Sequence, residues 1–173
     1  MKISRKLAGL WLVAGVAALL GGEAHAGQEA VIQSKIRADQ MLKQGQIGPA
    51  IQLYEGVLAE DRRFANAYYN LATAYYLEGN LTKAAENLES LLRLHPGDAE
   101  ARYNLACLKI RLGDFAGARG DFLKAEAVPS PPLICQKIKE ALLFMKGLEN
   151  QGPEDRRLLA YLITGSEKTL LAS

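Results

Sequence analysis

Residues 65–96 read ANAYYNLATAYYLEGNLTKAAENLESLLRLHP, and this stretch decides the fold. In its first half Tyr68, Leu71, Ala72 and Tyr75 fall on one stripe at helical spacing. Gly79-Asn80 then breaks the pattern, as a left-handed glycine does at a helix C-terminus. Leu81, Ala84, Ala85, Leu88, Leu91 and Leu92 restart a 3.6-residue period that stops at His95-Pro96. The reading is two helices around a glycine turn. Ala72 and Ala84 are small because helices that cross closely leave no room for a longer side chain.

Outward from this hairpin the same residues return every 34 positions. Gly45, Gly79 and Gly113 share that spacing, and so do Ala50, Ala84 and Ala118, and Ala38, Ala72 and Ala106. A fixed period of this length in three registers marks stacked supersecondary units. The resulting core is a seam running between neighbours.

On these residues the chain resembles the tetratricopeptide repeat family. Tyr68, Leu71, Ala72, Tyr75, Gly79, Ala84, Leu88, Leu91 and Pro96 occupy the family's signature places in the middle unit. The next unit keeps Asn104, Leu105, Ala106, Gly113, Ala118, Phe122 and Ala125, with Arg102 for the first aromatic, Lys109 for the Tyr and Ser130 for the Pro. The preceding unit keeps Ala38, Gly45, Ala50 and Tyr54 but has Ser34, Arg37 and Arg62 where Trp, Leu and Pro are usual. The resemblance covers about residues 31–130. It implies an all-α, right-handed superhelical array of three repeats, about 31–64, 65–98 and 99–130, within a region 27–130.

The first 26 residues differ in kind. Lys2, Arg5 and Lys6 precede an uncharged run from Leu7 to Leu20, and Ala24-His25-Ala26 follows as an A-x-A cleavage site. Residues 1–26 are therefore expected to be a secretory signal peptide, cleaved after Ala26; retention as a membrane anchor is the alternative. Its removal takes away Lys2, Arg5, Lys6 and Glu23, leaving 18 basic and 18 acidic residues. Such a neutral chain has no basic block to grip nucleic acid or an anionic membrane.

Beyond the third unit, Val128-Pro129-Ser130-Pro131-Pro132 interrupts the array. Residues 131–173 then read as a helical capping hairpin. Ile134, Ile138, Ala141, Leu142, Met145 and Leu148 form one apolar stripe, and Leu158, Leu159, Leu162 and Ile163, after Gly152-Pro153, form another.

Catalytic chemistry has little to stand on. Downstream of the leader there is one histidine, His95, in an inter-repeat turn. The adjacent carboxylates Glu60-Asp61 and Glu154-Asp155 point in different directions. No enzyme, cofactor, metal or small-molecule substrate is expected. Cys107 and Cys135, in an oxidising compartment, either pair as a disulfide or stay as small thiols.

Function in such an array comes from surface. The resemblance implies that the first helices line a concave groove for a peptide segment. Carried over by position, the lining is Lys35, Asp39, Leu42 and Lys43; then Asn66, Tyr69, Asn70, Thr73, Tyr76 and Leu77; then Glu100, Tyr103, Asn104, Cys107, Ile110 and Arg111. Asn70 and Asn104 could pair with a peptide backbone. Tyr69, Tyr76 and Tyr103 offer rigid contact area of the kind found in hot spots. The family's clamp for acidic chaperone tails is not reproduced. Its Lys, Asn, Asn, Lys and Arg are here Lys35, Asp39, Asn70, Glu100 and Asn104, and the two acids would repel such a tail. The expectation is a periplasmic or otherwise secreted adaptor that binds a segment of an envelope protein, assists assembly of an envelope complex and meets membranes only through partners. The alternative is a structural subunit associating through helix edges or its C-terminal hairpin.

Overall fold

The computed structural model describes residues 27–148 and Gly152. Among them are seven helices and no strand: α1 over 27–43, α2 Ile47–Glu60, α3 Ala65–Glu78, α4 Leu81–Leu94, α5 Ala99–Arg111, α6 Phe115–Glu126 and α7 Pro132–Leu148. The leader and the expected helix after Gly152-Pro153 lie outside the described residues.

The three hairpin turns are built alike because their backbone conformation admits glycine. Gly45, Gly79 and Gly113 have φ of 75°, 92° and 85°, in the left-handed region that costs other residues about 1–2 kcal/mol. Two hydrogen bonds close each turn: one runs from Gln46 N to Met41 O at 2.9 Å, Asn80 N to Tyr75 O at 2.8 Å and Asp114 N to Lys109 O at 2.8 Å, and in the other the glycine N–H donates to Leu42 O, Tyr76 O or Ile110 O at 3.0 Å. This is the glycine-terminated helix end that satisfies orphan carbonyls. Asn80 and Asp114 then start α4 and α6, accepting from Lys83 N at 3.2 Å and Gly117 N at 2.8 Å.

The six recurring alanines are the close-packing points. Ala38, Ala50, Ala84, Ala106 and Ala118 are fully buried and Ala72 is 2 % exposed. Around them the core falls into two clusters that share α5. Ala101, Leu105 and Leu108 of that helix belong with α1–α4, whereas Ala99, Tyr103, Ala106 and Ile110 belong with α6 and α7.

The third unit seals its interior differently. Arg102 and Lys109, which replace two aromatics of the signature, both reach the buried carboxylate of Asp121 on α6. Lys109 Nζ lies 2.6 Å and Arg102 Nη1 3.5 Å from it. Arg102 also donates to Pro96 O at 2.8 Å, and Lys109 approaches Glu89 of α4 at 3.9 Å. The Nε of Arg102 is buried without an acceptor among the described residues.

α7 starts at Pro132, whose missing N–H suits a first helical position. Its buried stripe is Ile134, Ile138, Met145 and Leu148, against α5 and α6. Leu133 and Leu143 face solvent, 61 % and 73 % exposed.

Candidate functional site

The face formed by α1, α3 and α5 is organised by three polar contacts that run between neighbouring first helices. Asp39 of α1 makes the first. It accepts from Lys35 Nζ at 2.6 Å, from the buried Tyr54 hydroxyl of α2 at 2.6 Å, and from Asn70 Nδ2 of α3 at 2.8 Å. Burial pushes its carboxyl pKa up, but the hydrogen bonds from Lys35, Tyr54 and Asn70 and the charge of Lys35 outweigh that and hold it below the usual range. Burial and the same carboxylate push the Tyr54 hydroxyl up.

The second contact joins α3 to α5. Asn104 Nδ2 donates to the Tyr69 hydroxyl at 3.0 Å, and that hydroxyl donates to Glu100 Oε1 at 3.5 Å. Burial, with the negative charge of Glu100 next, raises the Tyr69 pKa to about 12. The third is the Arg111 guanidinium, 4.9 Å above the centre of the Tyr76 ring.

Between neighbouring first helices four pairs of the expected groove residues therefore meet, Asp39 with Asn70, Tyr69 with Asn104 and with Glu100, and Tyr76 with Arg111. Asn66, Lys43, Leu77 and Glu100 are exposed, and Leu42, Tyr69, Asn70 and Tyr76 half-buried. Others turn inward. Tyr103 and Ile110, 4 % and 5 % exposed, are buried with α6 and α7, where the Tyr103 ring lies 5.5 Å from that of Phe122. Thr73 is buried and donates to Tyr69 O at 3.1 Å. Asn104 is buried with its amide N–H engaged, and Asn70 spends a donor on Asp39.

The cysteines do not pair. Cys107 and Cys135 are separate thiols, and Cys135 Sγ lies 3.2 Å from both the hydroxyl and the carbonyl oxygen of Ser130.

Sequence reasoning missed Asp121 altogether. The signal was present as two cations at aromatic places, which require a buried acid nearby. On the opposite face, Tyr75 donates to Glu55 and lies under the Lys83 ammonium, 4.8 Å from the ring centre. A cleft of about 360 Å³ there includes Glu55, Arg62 and Lys83, and another of about 310 Å³ between α1 and α2 includes Val31, Leu53 and Glu60. Among the described residues no group of three His, Cys, Asp or Glu could hold a metal ion, and no helix is long and apolar enough to cross a membrane.

Comparison with known proteins agrees with the helical-repeat fold. The Tetratricopeptide repeat family model matches residues 41–86 and 76–120. The chain is 35% identical over 83 residues to the tetratricopeptide repeat and J domain-containing co-chaperone DNJ1 of Cryptococcus neoformans, covering 47% of this chain and 16% of that protein. It is 32% identical over 78 residues to the TPR repeat-containing protein YvcD of Bacillus subtilis, covering 45% and 16%. The chain thus spans only a small part of these curated relatives. Among solved structures it resembles the Yersinia enterocolitica type III secretion chaperone SycD, in complex with a peptide of the translocator YopD. The TM-score is 0.66 at 13% identity, over 70% of this chain and 96% of that one.

Proposed function

We propose that this protein is a non-catalytic adaptor that holds a peptide segment of a partner against the face formed by α1, α3 and α5. The observation that carries the reading is the pair of half-buried tyrosines, Tyr69 and Tyr76, each fixed by a residue of α5. Rings held in one orientation offer contact area without further ordering cost, which is how aromatic anchors become hot spots. Exposed Asn66 and Leu77 flank them. The solved relative bound to a translocator peptide supports the same use of the fold.

The leader pattern of residues 1–26 adds that the protein is exported, and that its partner is an envelope protein whose complex it helps to assemble. N-terminal sequencing of the protein from an envelope or periplasmic fraction should begin at Gly27, whereas intact chain in the membrane would mean an anchor. A photo-cross-linking residue in place of Asn66 or Leu77 should give partner adducts. The same residue in place of Glu86, on α4, should give none, and adducts from Glu86 alone would overturn the reading. The exposed Leu133 and Leu143 of α7 are the observation that favours the other reading, a structural subunit that associates through its C-terminal helix.

A further inference from the structure

The two tyrosines of this face sit in opposite electrostatic surroundings. The Tyr76 ring already carries a cation, the Arg111 guanidinium. Tyr69 has carboxylates instead: Glu100 meets its hydroxyl, and Asp98 adds to the negative charge that raises its pKa. The ion pairs among the described residues are Lys35 and Asp39, Arg102 and Asp121, Lys109 and Asp121, and Lys109 and Glu89, so no cation pairs with Glu100 or Asp98. Asp98 caps α5 through Ala101 N at 2.9 Å. The helix end offsets about half a unit charge, against two carboxylates.

Along α5 the sign of charge reverses from its first turn to its last. Glu100 stands in the first turn of α5, whereas Lys43 and Arg111 end α1 and α5. An aromatic ring beside an exposed carboxylate is a receptor for a guanidinium or ammonium group, which gains from the ring face and from a charge-assisted hydrogen bond.

We infer that the segment bound here presents a Lys or Arg side chain to Tyr69 and Glu100, so that the partner is a basic segment and not an acidic tail. The inference rests on the groove reading of the previous section. The internal pairing of Tyr76 with Arg111 is the same chemistry satisfied from within the chain. At Tyr69 no described residue supplies the cation, and the partner's side chain takes that place.

The probe is a phage library of random twelve-residue peptides, panned on the full-length protein and counter-panned on the Tyr69→Ala/Tyr76→Ala variant. Enriched clones should carry Lys or Arg at one fixed position. A synthetic peptide from such a clone should bind Glu100→Gln about tenfold more weakly. Panning on Glu100→Lys should shift the enrichment to Asp or Glu. Glu100 is exposed, so these variants should keep their circular dichroism spectrum. Clones that need the tyrosines but show no basic preference, or whose preference survives Glu100→Lys, would overturn the inference and leave the groove reading standing. If no clone distinguishes the protein from the tyrosine variant, the groove reading fails and this inference falls with it.

Discussion

The middle and third units share a backbone plan and fill it with different chemistry. Tyr68 and Tyr75 line the interior of the middle unit; their equivalents in the third are Arg102 and Lys109, joined through buried Asp121. Gly79 and Gly113 nevertheless turn alike, and Ala72, Ala84, Ala106 and Ala118 are buried alike. Backbone conformation and closest approach tolerate one residue type each, whereas a place that needs only volume accepts an aromatic ring or a compensated cation. Even the outer partner is kept: Tyr75 reaches Glu55, and Lys109 reaches Glu89, 34 positions on.

The largest effect should come from removing the acid of that cluster. Asp121→Ala leaves two largely buried cations facing each other, and removing one partner of a buried pair costs about 3–5 kcal/mol. The urea midpoint should fall accordingly. Replacing Arg102 and Lys109 by Tyr together with Asp121→Ala should recover most of the loss, because exchanging a whole buried ionic cluster for apolar volume is often neutral or better. A triple variant no more stable than the single one would mean that the two units are not interchangeable in the way described.

The alanine register predicts no difference between the units. Ala84→Leu and Ala118→Leu each force volume into a fully buried crossing and should each cost about 1–3 kcal/mol, read as a lower melting temperature. A large gap between the two would break the equivalence. Smaller still, Gly79→Ala and Gly113→Ala should each destabilise by about 1–2 kcal/mol, since both positions need positive φ.

The smallest effect concerns pH. The folded-state pKa of Asp39 lies below its ordinary value of 3.8, so the stability it contributes is present above that value and lost as pH falls through the folded one. Wild type should therefore lose more stability than Asp39→Asn as pH is lowered below about 4. Parallel pH profiles would remove Asp39 from this account.

The fold was legible because its determinants are local and repeated. Positive φ at Gly45, Gly79 and Gly113 and the buried alanines follow from period and residue size, and the α7 stripe from 3.6-residue spacing. The candidate site was legible only as a set of positions. A family register says which side chains point to the concave face, and not what the chain itself sets against them. Tyr103 and Ile110 are covered by α7 beyond a proline-rich break, and the donors of Asn70 and Asn104 are taken by Asp39 and Tyr69, one repeat away. Asp121 was hidden for the same reason, as its role appears only with Arg102 and Lys109 beside it.

Partner capture from an envelope fraction tests the central claim most directly, comparing wild type with Tyr69→Ala/Tyr76→Ala and with Leu143→Glu. The tyrosine variant should lose capture by at least about tenfold, since a hot-spot aromatic contributes ~2 kcal/mol or more, while its helical circular dichroism persists. Leu143→Glu, at an exposed place on α7, should capture as well as wild type. Full capture by the tyrosine variant, with loss in Leu143→Glu, would contradict the adaptor reading and assign association to the C-terminal helix.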